Sequence, residues 1–167
     1  MNEIEDRDFW MAVVAAQAEL AFRRADFHQH ARFPGTILAG ALNGPAREQA
    51  AALRFLAAFG YLSDHMELLP RLIEMAQSHR WAGDARQAIG AARRDRLIPA
   101  IQQLLPPLLD TADYDGYRRL AELLAHVGAW QSLGELTRRA LSSADPDTRE
   151  VGEDFTTSYG PLWGAPR

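Results

Sequence analysis

A recurring glycine between two helical patterns constrains the fold of this chain more than any other feature. Helical faces of small and apolar residues run into Gly60, Gly90 and Gly128. Eight residues after each glycine, an aliphatic residue opens a second apolar stripe, namely Leu68, Ile98 and Leu136. Self-similarity with a period of about 20 to 50 residues is the signature of stacked supersecondary units. The stretch 53–155 is therefore predicted to be a series of helix pairs.

The segment before this series is predicted to begin with one amphipathic helix at residues 4–24. Trp10, Val13, Val14 and Leu20 follow the spacing of a single helix face. A short helix at 36–42 is expected to follow the Pro34-Gly35 turn. Terminal units of repeat proteins must cover the exposed core of their neighbours. Residues 1–45 are therefore predicted to be N-terminal capping helices.

Several polar residues and prolines mark predicted helix boundaries. Helix starts are predicted from aspartates that can act as N-caps, at Asp64, Asp84, Asp113 and Asp145. Glu67 would complete a capping box with Asp64. Pro106-Pro107 is predicted to stop the second helix of the middle unit, because proline removes a hydrogen bond inside a helix.

The last twelve residues, 156–167, differ from the repeats in composition. Glycine and proline interrupt them too often for a long helix, while Tyr159, Leu162 and Trp163 are too apolar for a purely solubilising tail. Two interpretations remain open. The tail folds back along the helices, or it is a short recognition segment.

The repeated positions resemble those of HEAT-like repeats, which are pairs of antiparallel helices. The matching positions are Asp84, Asp113 and Asp145 before first helices, Arg47, Arg86, Arg118 and Arg149 near their starts, Gly60, Gly90 and Gly128 between helices, and Pro70 and Pro99 early in second helices. The resemblance covers about residues 46–155, and the glycine spacing is irregular around 84–105.

This resemblance implies an all-α fold, a short right-handed α-α superhelix of the armadillo type. Residues 1–155 would form one α-solenoid domain, with the repeats at 46–155 and a tail at 156–167. In such families the second helices line a concave face, which usually binds a partner. The resemblance carries no catalytic residues and implies no cofactor.

Composition excludes several kinds of chemistry. The sequence contains no cysteine, which rules out disulfides, thiolate nucleophiles and cysteine-based zinc sites. It also contains no lysine, so all 18 basic residues are arginine, and Schiff-base chemistry or a phosphate-loop lysine is absent. Asp26, His28 and His30 could suggest a metal site, but their spacing does not support one. His126 is expected to be a helix-end contact rather than a general base.

The charge distribution bears on partners and location. The formal charge is −4, which argues against nonspecific nucleic-acid binding, although residues 71–139 carry ten arginines and eight acids. No apolar run reaches the ~20 residues that span a bilayer. The first residues are acidic where a signal peptide is basic, so a cytoplasmic location is expected.

The predicted partner-binding surface is the outward side of the second helices. Its candidate residues are Arg71, Glu74, Gln103, Arg138 and Arg139, with Trp163 from the tail. Arginine suits bidentate contacts and interface anchoring. An ordinary solvated helix face is the alternative interpretation.

Two classes of function are compatible with these observations. The first is a non-catalytic protein-interaction module, either an adaptor or a protein similar to bacterial immunity proteins, with a basic toxin as its partner. The second is a DNA-binding enzyme that resembles the HEAT-like alkylpurine DNA glycosylases. Attachment of a chromophore, as by some HEAT-like lyases, has no specific support in the sequence.

Overall fold

The computed structural model describes residues 3–163, and these residues form α-helices and short 3₁₀ helices without any strand. The α-helices are α1 Glu3–His30, α2 Pro34–Leu42, α3 Ala46–Phe59, α4 Leu69–Gln77, α5 Ala82–Gly90, α6 Arg94–Thr111, α7 Tyr114–His126, α8 Trp130–Leu141 and α9 Pro146–Tyr159. The 3₁₀ helices are Tyr61–Asp64, Met66–Leu68 and Gly160–Leu162. The all-α prediction is therefore confirmed. The chain divides into two compact units, Met1–Gly40 and Ala41–Arg167.

The first unit is dominated by α1, which is longer than the sequence indicates. The helix continues to His30 because neither proline nor glycine interrupts the chain before Pro34. The predicted end of this helix at residue 24 was therefore wrong. Large apolar side chains of α1 are exposed, including Trp10 at 62% and Val13 at 45%. The capping role of residues 1–45 remains a prediction.

The second unit contains alternating first and second helices. Among the first helices, α3 packs on α5, α5 on α7 and α7 on α9. Of the second helices, α4 packs on α5 and α7, α6 on α8, and α8 on α7 and α9. The core consists mainly of leucines, such as Leu53, Leu56, Leu69, Leu72, Leu120, Leu123, Leu124 and Leu133. This arrangement is compatible with a helical repeat, while the HEAT-like superhelix and the single domain at 1–155 remain predictions.

Local sequence explains two of the four predicted N-caps. The Asp113 carboxylate accepts a hydrogen bond from the Gly116 amide at 2.8 Å. Asp145 does the same with the Thr148 amide at 3.0 Å, directly before Pro146. An aspartate at this position satisfies one of the amide groups that a helix start leaves free. Both predictions are confirmed.

The other two predicted caps were wrong. Asp64 ends a 3₁₀ helix, and α4 begins later, where Pro70 occupies the first turn. Proline is favoured there because its missing N–H has no partner in that turn anyway. Asp84 lies inside the first turn of α5, which starts at Ala82.

The three inter-helix glycines are not equivalent. Gly60 and Gly128 adopt left-handed backbone conformations, with φ of 59° and 66°, which glycine tolerates without steric cost. Gly90 instead ends α5 in a helical conformation, and a Cβ atom there would lie 3.1 Å from the ring of His126. Gly90 is thus a close-packing position rather than a turn.

Helix α6 passes through Pro106-Pro107, so the predicted stop was wrong. The helix continues to Thr111 with three internal prolines. Leu105 and Leu109 flank the proline pair and are 2% and 3% exposed. An internal proline costs about 3 kcal/mol, and burial of each leucine contributes about 1.5–3 kcal/mol. Packing against the rest of the unit therefore offsets the local preference to end the helix.

Candidate functional site

The predicted site residues on α4 contact other parts of the same unit. Arg71 donates from Nη1 to the Glu74 carboxylate at 2.9 Å. Its Nε and Nη2 atoms lie 3.4 and 3.3 Å from the carbonyl oxygen of Leu42, the last residue of α2. The Arg71 guanidinium therefore covers a helix end, which sequence spacing could not reveal because the two residues are far apart in the chain.

Three of the predicted residues lie on two helices that pack against each other: Gln103 on α6, and Arg138 and Arg139 on α8. The Gln102 side chain donates to that of Gln131 at 3.5 Å. Arg139 donates to the Asp110 carboxylate, and this hydrogen bond raises the pKa of Arg139. Gln103 and Arg138 are exposed on the same two helices. We call the exposed side of α6 and α8 around these residues the α6–α8 face.

Trp163 packs against α8 at Gly134, between the positions of Gln131 and Arg138. Its ring packs over Gly134, where an added Cβ atom would be 3.2 Å from two indole carbons. The described end of the tail therefore folds back onto α8 through the 3₁₀ helix Gly160–Leu162. The indole nitrogen is buried without a hydrogen-bond acceptor in the described residues. A role of Trp163 in partner binding remains a prediction.

The α6–α8 face also carries a feature that the sequence interpretation missed. Pro106 and Pro107 have no amide hydrogen, so the carbonyl groups of Gln102 and Gln103 lack their usual donors four residues later. All four residues are exposed. The signal in the sequence was the proline pair itself, which we interpreted as a helix stop. In the structure it instead leaves two carbonyl groups inside the helix without their usual amide donors.

A cleft of about 680 Å³ lies along the first helices α5, α7 and α9. Two ion pairs span it. Arg86 Nη1 lies 2.7 Å from the Glu122 carboxylate, and Arg118 Nη2 lies 3.1 Å from that of Asp154. Each pair joins residues 36 positions apart on consecutive first helices. The pairs therefore tie three first helices together.

This cleft does not form an acid–base site in the described residues. Its histidine, His126, is exposed and packs against Gly90. The carboxylates of Glu122 and Asp154 are both engaged by arginine. General acid–base catalysis needs a histidine or carboxylate within hydrogen-bond reach of a reacting group and tuned by its neighbours. The geometry instead resembles a set of structural ion pairs.

The N-terminal histidines do not assemble a metal site within residues 3–163. His30 contacts Asp26 one helical turn earlier, with Nδ1 3.0 Å from the carboxylate. No group of three or more potential ligands that could hold a metal ion occurs in the described residues.

Comparison with known proteins identifies no relative. No family model, no curated protein and no solved structure matches the chain. Within the part of the chain that the structure describes, no helix has the length and apolar character needed to cross a membrane.

Proposed function

We propose that this chain is a non-catalytic protein-binding module built from HEAT-like helix pairs, with the α6–α8 face as its partner surface. The observation that carries the proposal is α6 itself. It is an 18-residue helix that stays continuous through three prolines, and its exposed side presents the side-chain amides of Gln102 and Gln103 next to the exposed Arg138 of α8. Such a polar surface on a continuous helix supports recognition of another protein chain.

The net charge of the whole chain, although not that of the α6–α8 face itself, supports a basic rather than an acidic partner. The chain has a net charge of −4, and Arg139 is already neutralised by Asp110 on the α6–α8 face. An acidic protein attracts a basic partner over long distances and accelerates their association. A basic toxin neutralised by an immunity protein, or a basic client of an adaptor, fits this description.

The nucleic-acid alternative has less support. Most of the ten arginines in residues 71–139 already contact groups of the chain itself, as Arg86, Arg94 and Arg119 do. Nonspecific DNA affinity comes from basic side chains that neutralise phosphates and release counterions. Duplex binding that weakens steeply with salt would restore this alternative.

Site-specific photo-crosslinking tests the proposed function. A photo-reactive amino acid replaces Gln103 on α6 or, as a control, Gln87, which is exposed on α5. In cells that express the chain natively, we expect one protein to crosslink at position 103 and not at 87. That protein is then purified, and its dissociation constant is measured with the unmodified chain.

The affinity of the purified pair decides the outcome. The double variant Gln103→Arg/Arg138→Glu should weaken the complex about tenfold or more, because it changes size and charge at the centre of the surface. Gln87→Arg should leave the affinity unchanged. An affinity that is equally insensitive to both variants would show that the α6–α8 face is not the partner surface.

A further inference from the structure

Helix α1 presents a long apolar face to solvent. Its middle, residues 9–18, contains no charged residue. Large apolar side chains in this part of the helix and in the next turn are exposed, with Trp10 at 62%, Val13 at 45% and Leu20 at 50%. On soluble proteins, contiguous exposed apolar patches larger than a few hundred Å² mark surfaces that bind another molecule. This face of α1 is therefore a candidate interface.

One stripe along α1 has the spacing of a coiled-coil interface. Its positions are separated by alternating steps of four and three residues, which is the 3.5-residue period of two helices that wind around each other. The stripe consists of Asp6, Trp10, Val13, Gln17, Leu20 and Arg24. It extends over about 27 Å of helix. Such a stripe packs against a second helix, because side chains of each helix insert between those of the other.

The order of residue types along the stripe favours an antiparallel partner of the same sequence. In a symmetric antiparallel pair centred at residue 15, Trp10 of each copy faces Leu20 of the other. Asp6 at one end of the stripe then faces Arg24 at the other end. Symmetric dimers use the same patch on both copies, so each contact occurs twice. A parallel pair would instead place Asp6 against Asp6 and Arg24 against Arg24, where like charges repel.

The charges near the two ends of α1 agree with the same orientation. Residues 5–8 contain three acids and one arginine, whereas residues 23–32 contain three arginines and one aspartate. An antiparallel pair places the acidic start of each helix beside the basic end of the other copy. The charge complementarity therefore comes from α1 and the residues that directly follow it.

The centre of the pair is compatible with close packing of the two helices. Val13 faces Gln17 on both sides of the two-fold axis, and Ala15 and Ala16 lie between these positions. The distance between packed helices depends on the size of the side chains at the contact, so alanine permits a close approach. A single polar residue in such an interface, here Gln17, costs some stability but helps to fix the register.

We propose that α1 is a dimerisation helix, which pairs with α1 of a second copy of this chain in an antiparallel coiled coil centred at residue 15. A lipid surface fits this helix less well. Helices that lie on membranes are rich in lysine and arginine on their polar side, whereas α1 begins with Glu5, Asp6 and Asp8. The dimer does not depend on the partner surface proposed above, because α1 belongs to the first unit and the α6–α8 face to the second.

Sedimentation equilibrium of the full chain tests the pairing. With rising concentration, the mass should increase from the chain mass of 18.6 kDa toward twice that value. Leu20→Asp should raise the dimer dissociation constant about tenfold or more, because it places a charge in the interface of both copies. Phe22→Asp is the matched control, since Phe22 is 62% exposed but lies on the opposite side of α1. Equal effects of both variants, or a monomer at every concentration, would overturn the proposal.

Charge reversal tests the orientation of the helices. Asp6→Arg and Arg24→Asp should each weaken the dimer about tenfold, because each replaces two attractive contacts by two repulsive ones. The double variant Asp6→Arg/Arg24→Asp should regain the wild-type affinity. Asp8→Arg changes the net charge equally but lies on the side of α1 away from the stripe, so it should have little effect. A double variant as weak as the single ones would rule out the antiparallel pair.

Engineered cysteines define the register, since the sequence contains no cysteine of its own. A mixture of Trp10→Cys chains and Leu20→Cys chains should form disulfide-linked dimers under mild oxidation, whereas neither variant should crosslink with itself. In the proposed pair, the two copies of position 10 lie about 15 Å apart along the helix axis, and a disulfide needs Cα atoms within about 7 Å. Crosslinking within each variant but not in the mixture would show a parallel pair and overturn the proposal.

Vesicles of phosphatidylserine and phosphatidylcholine test the lipid alternative. The wild-type chain should not co-sediment with them. A chain that stays monomeric in solution, and binds vesicles in a way that Leu20→Asp abolishes, would assign the apolar face of α1 to a lipid surface and end the dimer proposal.

Discussion

At the scale of single residues, Gly152 is a helical position where the packing leaves no room for a side chain. A Cβ atom there would lie 2.9 Å from Leu141 Cγ, 3.0 Å from the Leu141 amide nitrogen and 3.1 Å from the Thr137 carbonyl oxygen. Two of these atoms belong to the backbone of α8 and cannot rotate away. Gly152 therefore permits the close contact between α8 and α9.

Gly152→Ala should destabilise the protein although alanine favours helices. The gain in helix propensity is about 1 kcal/mol, whereas overpacking costs about 1–3 kcal/mol and here requires a backbone shift. The measurement is the free energy of unfolding in urea. Gly83→Ala is the matched control, because a Cβ atom at Gly83 meets nothing within 4 Å. It should be neutral or stabilising, and a stable Gly152→Ala variant would contradict the packing argument.

The Asp145 carboxylate caps the start of α9, so the stability that this cap provides depends on pH. Hydrogen bonds from the Thr148 hydroxyl and then the Thr148 amide lower the pKa of Asp145 below its ordinary value. A carboxyl whose pKa is lower in the folded state stabilises the fold above its unfolded pKa of about 3.9. That stabilisation is lost as the pH falls through the folded value.

Melting temperatures between neutral and acidic pH should reveal this contribution. Asp145→Ala should melt below the wild type at neutral pH, and the difference should shrink below about pH 4 as the wild-type carboxyl becomes protonated. Asp145→Asn retains a capping oxygen without the charge, so its stability should lack this part of the pH dependence. A difference between wild type and Asp145→Ala that persists unchanged in acid would rule out the carboxylate as its cause.

At the scale of helices, the two ion pairs of the cleft differ in how far their side chains are exposed to water, so their contributions to stability can be compared. The side chains of Arg86 and Glu122 are 21% and 30% exposed, and those of Arg118 and Asp154 are 34% and 50% exposed. Water screens the second pair more. The first pair should therefore contribute more to holding α5 on α7 than the second contributes to holding α7 on α9.

Double-mutant cycles with alanine measure these contributions as coupling energies. We expect about 1 kcal/mol for Arg86–Glu122 and less than about 0.5 kcal/mol for Arg118–Asp154. High salt should reduce the second value more than the first. Glu122 also contacts Arg119 at 3.4 Å. The loss of stability in the single Glu122→Ala variant should therefore be larger than the Arg86–Glu122 coupling energy. Equal coupling in the two cycles would show that burial does not set the strength of these pairs.

Across the whole molecule, the parts that were predictable from sequence are those that depend on neighbours in the chain. Asp113 and Asp145 cap helices because their acceptors reach amides three residues on. Asp64 has the same local pattern but does not cap α4, since Pro70 places the helix start further along. Local rules alone could not separate these cases.

The rest of the fold and site depends on contacts between distant segments. From the local sequence, Pro106-Pro107 predicts the end of a helix. Only the burial of Leu105 and Leu109 explains why α6 continues. Likewise, Arg94 covers carbonyls more than 30 residues away. The predicted surface on the second helices named Gln103 and Arg138, and the structure shows both side chains exposed.

The division of the chain into two compact units leads to a prediction about which fragment folds by itself. Apart from Leu38, the buried apolar side chains of the described residues lie between Leu42 and Val151, so the second unit carries its own core. A fragment of residues 41–167 should therefore fold by itself, with strong helical circular dichroism and one cooperative urea transition. A fragment of residues 1–40 should be only partly helical as a monomer, because the large apolar side chains of α1 are exposed and a helix without packing is marginal in water. Gradual unfolding of the 41–167 fragment, with binding of a hydrophobic dye, would show instead that its core is incomplete without the first 40 residues.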